Sequence, residues 1–296
     1  MGAEWVAALP MYDFPELREA HDEFWDALAG RLRAAGLSRT PGALARGLEP
    51  AEVWADPLLL FAQGCEYPLA RAFADRVRVV AHPVYSAAGC EGARYRSAVI
   101  VRRDDDARRP AAPAHAGAPA EHRGGSVAVG IHQALAGLRG QRCVVNELDS
   151  NSGMNLLRAA IAPLAQREQF FASIAVSGSH LRSVEWVASG QADVASIDCV
   201  SFAHFQRLYP ALLAQVRVMS WTAPTPSLPY ITARSASDAT VLALRAALAD
   251  VFDDPSLAPV RAKLLLQGID LEPLDGFEEV LALERAAADS GYSILR

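Results

Sequence analysis

Residues 142–154 read Arg-Cys-Val-Val-Asn-Glu-Leu-Asp-Ser-Asn-Ser-Gly-Met, and the fold turns on how they are read. Arg142 to Asn146 has the apolar run of a buried strand, and Ser152 to Gln166 continues with helical spacing. Between them stand Ser150, Asn151 and Ser152, all helix-capping types, followed by Gly153, which lets a backbone approach a neighbour closely. A helix start needs one capping residue. Three in succession at a strand-to-helix junction offer hydroxyls, an amide and unsatisfied backbone N–H groups to an anion.

Toward the C-terminus the same alternation repeats. Phe171 to Val176 reads as a strand and His180 to Ser189 as a helix; Ala192 to Ile197 is a strand, Cys199 to Leu208 a helix and Val216 to Ser220 a strand. The α/β alternation predicts a mainly parallel sheet flanked by helices. Ligands of such sheets sit beyond the carboxyl ends of the strands. Two more junctions therefore qualify. In Ser177-Gly-Ser-His180, Ser179 caps and His180 can donate to an anion, with binding expected to tighten below the titration point of His180. In Ile197-Asp-Cys-Val-Ser201, Asp198 either caps the next helix or meets an amino or hydroxyl group of a ligand.

Toward the N-terminus, Trp5 to Leu9, Leu58 to Ala62, Val77 to Ala81 and Ala98 to Val101 read as strands, the third closed by His82-Pro83. Glu16 to Ala35 reads as a helix closed by Gly36. Tyr12, Gln63, Glu66, Tyr67 and Tyr95 lie beside these strands, and tyrosine rings can cover a ligand while their hydroxyls donate to it. Pro224 to Pro229 reads as a crossing segment, and Asp238 to Phe252, Leu257 to Gln267 and Phe277 to Ala288 as helices. The pattern predicts two lobes, residues 1–101 with 223–296 and residues 102–222, the second inserted into the first. Residues 104–126 lack periodicity and are expected to form a flexible insertion.

Composition narrows the function. The chain has 296 residues, 51% of them hydrophobic, which excludes general disorder. The net charge is −6 and Lys263 is the sole lysine, so no basic field exists for nucleic acid or anionic lipid. Any bound anion must be held by local geometry. No uncharged run is long enough for membrane insertion. The N-terminus lacks a signal-peptide pattern, so the chain as written is expected in the cytoplasm, or in the periplasm if a leader is missing. Cys65, Cys90, Cys143 and Cys199 form no C-x-x-C pair, and His115, His122 and His132 are irregularly spaced, so no metal or other cofactor is expected. A Cys65–Cys90 bridge is the lesser alternative to four partly buried thiols. No Gly-x-Ser-x-Gly, phosphate loop or His-Glu-x-x-His occurs, and no catalytic residue is assigned.

Five segments carry a resemblance: Gln63-Gly-Cys-Glu-Tyr-Pro-Leu69, Gly89-Cys-Glu-Gly-Ala-Arg-Tyr-Arg-Ser97, Asn146 to Gly153, Ser177 to His180 and Ala192 to Asp198. The chain resembles the phosphate/phosphite/phosphonate class of solute-binding proteins from ABC importers, which have a two-lobed type II periplasmic-binding fold. The resemblance implies that two lobes close over a small oxyanion for uptake or sensing, with an ABC permease as partner. It implies that the phosphoryl group rests on Ser150, Asn151, Ser152 and Gly153, that His180 helps to hold it, and that Tyr67 and Tyr95 close over it. Asp198 is the match to an acidic residue that meets an amino group. Asn151 stands where the family more often has Thr. The competing reading is a cytosolic enzyme on the same fold, a lyase or a pyrimidine-precursor synthase.

Overall fold

The computed structural model describes residues 5–103, 134–165, 168–272 and 274–296. The expected insertion at 104–126, with His115, His122 and His132, lies outside the described residues, as does Gln166. The chain divides into two compact units, residues 1–95 with 225–281 and residues 96–224 with 282–296. The expected boundary at 101/102 differs because it would cut a strand, Ser97–Arg102, that lies inside the second unit's sheet. The C-terminal residues differ too: both Phe170 N–H and Phe171 N–H donate to the Arg296 carbonyl, at 2.8 and 3.1 Å, holding that segment to the second unit.

The strands in chain order are β1 (Val6–Ala8), β2 (Leu59–Gln63), β3 (Val77–Tyr85), β4 (Arg94–Tyr95), β5 (Ser97–Arg102), β6 (Arg142–Val145), β7 (Ser173–Val176), β8 (Val194–Asp198), β9 (Val216–Trp221), β10 (Thr225–Pro226), β11 (Tyr230–Ala233) and β12 (Leu266–Asp270). The main helices are α1 (Arg18–Ala34), α2 (Pro50–Ala55), α3 (Leu156–Ala165), α4 (His180–Ser189), α5 (Cys199–Leu208), α6 (Asp238–Asp253), α7 (Ala258–Lys263) and α8 (Gly276–Asp289).

The first unit's sheet has the order β1-β2-β11-β3-β12. Helix α1 buries Ala20, Phe24, Trp25, Leu28 and Leu32, an i, i+4 stripe. Trp25 stacks on Phe61 of β2 at 5.9 Å between centroids, and Phe61 meets Tyr230 of β11 at 4.9 Å. A second apolar cluster joins Val53 and Trp54 of α2 with Leu69, Leu59 and Ile231. The second unit's sheet has the order β7-β6-β8-β5-β9, and its strands bury Cys143, while Cys199 is buried at the start of α5.

The α/β class is as expected, but the sheets are mixed in direction. Pairs β1–β2, β6–β7 and β6–β8 are parallel, whereas β11–β2, β11–β3, β12–β3, β5–β8 and β5–β9 are antiparallel. The expectation of mainly parallel lobes is thus corrected, because β5, β11 and β12 enter their sheets against the direction of their neighbours. Strand β3 also continues through Pro83 instead of ending there. Beyond Ala81 it pairs with β12 alone, the one-sided setting that tolerates a residue without N–H. The expected helix 257–267 stops at Lys263, and Leu265, at φ +59°, turns the chain into β12. No disulfide joins Cys65 to Cys90.

Candidate functional site

Strand β6 pairs in parallel with both β7 and β8, so the carboxyl ends of three strands lie side by side in the second unit. The turn after β6 begins at Ser150, whose Oγ accepts the Gly153 N–H at 3.0 Å. Asn151–Asn155 then form one π-helical turn before α3, where an uninterrupted α-helix was expected. The physical cause is visible. Leu156 N–H donates to Asn151 O, five residues back, and not to the Ser152 carbonyl, which accepts from Ser97 Oγ at 2.9 Å and Ser196 Oγ at 2.7 Å.

The junction after β7 supplies His180, the first residue of α4. Ser179 caps that helix by accepting the Arg182 N–H at 3.2 Å. Gly178, at φ +88°, turns the chain there, and its N–H donates to Asn146 O at 2.9 Å, tying this junction to the one after β6. As a result His180 Nε2 lies 3.0 Å from Ser152 Oγ. The His180 Nδ1 is shielded from solvent and has no hydrogen-bond partner. Burial lowers the imidazole pKa from its ordinary 6.5 to about 4, because the cation is the form that desolvation penalises.

That value moves the expected pH response. Without a ligand His180 is neutral from pH 5 to 8, so it tightens binding in this interval only to the extent that a bound anion raises its pKa and it takes up a proton on binding. Nuclear magnetic resonance of the ligand-free protein should find the ring titrating near pH 4; a midpoint at 6 or above would contradict the burial argument. The sign for folding follows. A base with a depressed folded pKa contributes stability that is complete above pH 6.5 and is lost as pH falls through about 4.

The third junction holds Asp198, 2% exposed, whose Oδ1 accepts the Ser201 N–H at 2.7 Å. Of the two roles expected for it, capping is the one seen. Behind the turn, Asn155 Nδ2 donates to Asn151 Oδ1 at 3.0 Å, and buried Arg158 donates to Asn155 Oδ1 at 2.7 Å and to Ser293 O at 2.9 Å. The structure therefore brings Ser150, Asn151, Ser152, Gly153 and His180 into one cluster.

The other candidates lie in the first unit. Gln63 Nε2 donates to Tyr85 OH at 2.8 Å and to Leu228 O at 3.0 Å, and Tyr12 meets the Tyr85 ring edge-on at 5.6 Å. Tyr12 has φ +90°, an uncommon backbone state for a side-chain-bearing residue. Tyr67 and Tyr95 are fully buried; Arg71 donates to Tyr67 OH at 3.4 Å, and Tyr95 pairs with Thr225. Glu66 is buried as well. Its Oε1 lies 2.9 Å from His82 Nε2, its Oε2 has no partner, and its carboxylate packs onto Gly276 at the start of α8. Burial pushes the Glu66 pKa up, against the His82 hydrogen bond, which lowers it.

Sequence reading missed Ser97, Ser196, Arg158 and His82. Each is a polar residue inside an otherwise apolar stretch, which implies a buried partner without saying which. Among the described residues no group of three metal-ligating side chains occurs, and no helix is long and apolar enough to cross a membrane.

A family model described as the periplasmic substrate-binding protein of phosphonate ABC transporters matches residues 59–280. Solved structures agree in fold. The PhnD1 protein of Prochlorococcus marinus, in complex with methylphosphonate, superposes with a TM-score of 0.68 at 11% identity, covering 98% of this chain and 99% of that one. A binding-protein component of an ABC phosphonate transporter from Pseudomonas aeruginosa gives 0.66 at 15% identity, covering 97% and 88%. A Xanthomonas citri protein bound to a chloride ion gives 0.67 at 16%, covering 97% and 99%. At these identities the superpositions show the fold alone, that of type II periplasmic binding proteins. No curated protein matches the chain in sequence.

Proposed function

The chain belongs to the phosphonate periplasmic substrate-binding proteins of ABC transporters, and on that premise we propose that the turn 150–153 captures a small phosphonate- or phosphate-like oxyanion. The observation that carries this reading is the contact of Ser152 Oγ with His180 Nε2 at 3.0 Å, at the start of a helix whose first amides lack intrahelical acceptors. Hydroxyls, helix-start amides and an imidazole hold an anion by hydrogen bonds and the helix dipole, without a lysine or arginine. Asn151 and Gly153 belong to the same ligand set. The role is capture without chemical change, with an ABC permease as the receiving partner. Tyr12, Gln63, Glu66, Tyr67, Tyr95 and Asp198 are proposed to contribute to the ligand's surroundings.

Isothermal titration with methylphosphonate and inorganic phosphate tests the reading, and native mass spectrometry after incubation should recover the probe unaltered. Ser152→Ala is expected to weaken binding roughly tenfold or more, the usual cost of a lost hydrogen bond to a charged group. The fold should survive, because the Ser152 carbonyl keeps both of its donors. Unchanged affinity in this variant would remove the turn from the site.

A further inference from the structure

Ser97 and Ser196 are fully buried on neighbouring strands β5 and β8, where the register pairs Ser97 with Asp198 and Val99 with Ser196. Both hydroxyls donate to one acceptor, the Ser152 carbonyl. In a trans peptide the carbonyl and the following N–H point in opposite directions. Drawing the Ser152 carbonyl into the sheet therefore aims the Gly153 N–H the other way, onto Ser150 Oγ at 3.0 Å. With that N–H seated on the oxygen, one lone pair of Ser150 Oγ is taken, and its hydroxyl proton is free to turn toward Ser152 Oγ, 3.5 Å away, or toward a ligand. Two donors on a single carbonyl also polarise the peptide and strengthen its N–H as a donor.

We propose that Ser97 and Ser196 are positioning residues for the oxyanion turn, setting the Ser152–Gly153 peptide so that Ser150 is presented as a hydrogen-bond donor. The proposal rests on the reading of that turn as the anion site. Its reach is chemical: a serine whose oxygen already accepts one N–H has its proton to offer to a phosphoryl oxygen.

The test compares Ser97→Ala, Ser196→Ala, the double variant and Ser196→Thr, each titrated with methylphosphonate and with inorganic phosphate. Each single alanine variant keeps one donor and should weaken binding about two- to threefold. The double variant should weaken it at least tenfold, more than the product of the singles. Ser196→Thr retains the hydroxyl and should bind like the wild type. The Gly153 amide proton resonance should move upfield in both single variants before any anion is added, as the peptide loses polarisation. A cavity effect alone would lower the unfolding midpoint without moving this resonance. A double variant binding within twofold of the wild type, or a stationary Gly153 resonance in the singles, overturns the proposal. If the double variant does not fold, the Gly153 resonance of the singles decides. Wild-type protein that binds neither probe overturns the anion reading beneath, while the resonance still reports on the clamp.

Discussion

Gly153→Ala is expected to weaken methylphosphonate binding at least about a hundredfold, the largest effect of any single substitution in the turn. A Cβ at this position would overlap Asn146 Oδ1 and stand 3.2 Å from Ser150 Oγ. The side chain of Asn146 must move, and Ser150 Oγ must give by a few tenths of an ångström, which strains the bond it accepts from the Gly153 N–H. The cap hydrogen bond and the direction of the neighbouring amides are then expected to shift together. Overpacking of this kind costs about 1–3 kcal/mol of stability. The loss in affinity should exceed that in free-energy terms, since two or more hydrogen bonds to a charged ligand are displaced at once. Calorimetric titration beside urea unfolding separates the two, and a variant that loses stability while binding normally would refute the account of the turn.

The second large effect lies in the first unit. His82→Leu removes the partner of Glu66 Oε1 and leaves a buried carboxyl whose Oε2 already lacks one. Breaking a buried ionisable pair in this way costs about 3–5 kcal/mol. The cost depends on pH. Burial raises the pKa of Glu66, and loss of the His82 hydrogen bond raises it further. An acid with a raised folded pKa contributes stability that is complete below its unfolded pKa, near 4.5, and is lost as pH rises through the folded pKa. The variant should therefore lose most at pH 8 and recover part of the loss at pH 5. Adding Glu66→Gln should flatten that dependence. Urea midpoints at both pH values give the answer, and an equal loss at each would count against the buried carboxyl as its source.

Both substitutions bear on how far the amino-acid order alone reveals the molecule. Helices α4 and α5 were legible to their end residues, because Ser179 and Asp198 are capping types placed directly before apolar periodic runs. The π turn was not. Its origin is the pull of Ser97 and Ser196 on a carbonyl 55 and 44 residues away, and no local pattern encodes that. Strand β12 was hidden for a different reason. Leu264-Leu265-Leu266 is apolar at every step, so its periodicity fits a helix as well as a strand, and only the pairing with β3 decides. The cluster of Ser150, Ser152 and His180 could be read because each residue announces a helix start. Arg158, which steadies that cluster through Asn155, could not, since an arginine in a helical run ordinarily marks an exposed face.

Cys143 lies within β6, the strand that leads to the turn 150–153, and is 1% exposed. Burial drives its thiol far above the ordinary cysteine range, so the reactive thiolate is scarce while the sheet stays closed. An alkylating reagent can reach the sulfur only in molecules in which the layer packed on that face of the sheet has momentarily lifted. The cysteine is in effect a stopwatch for the breathing of this half of the protein, read out by mass spectrometry without adding a label. Anything that grips the turn at the end of β6 would slow its ticking.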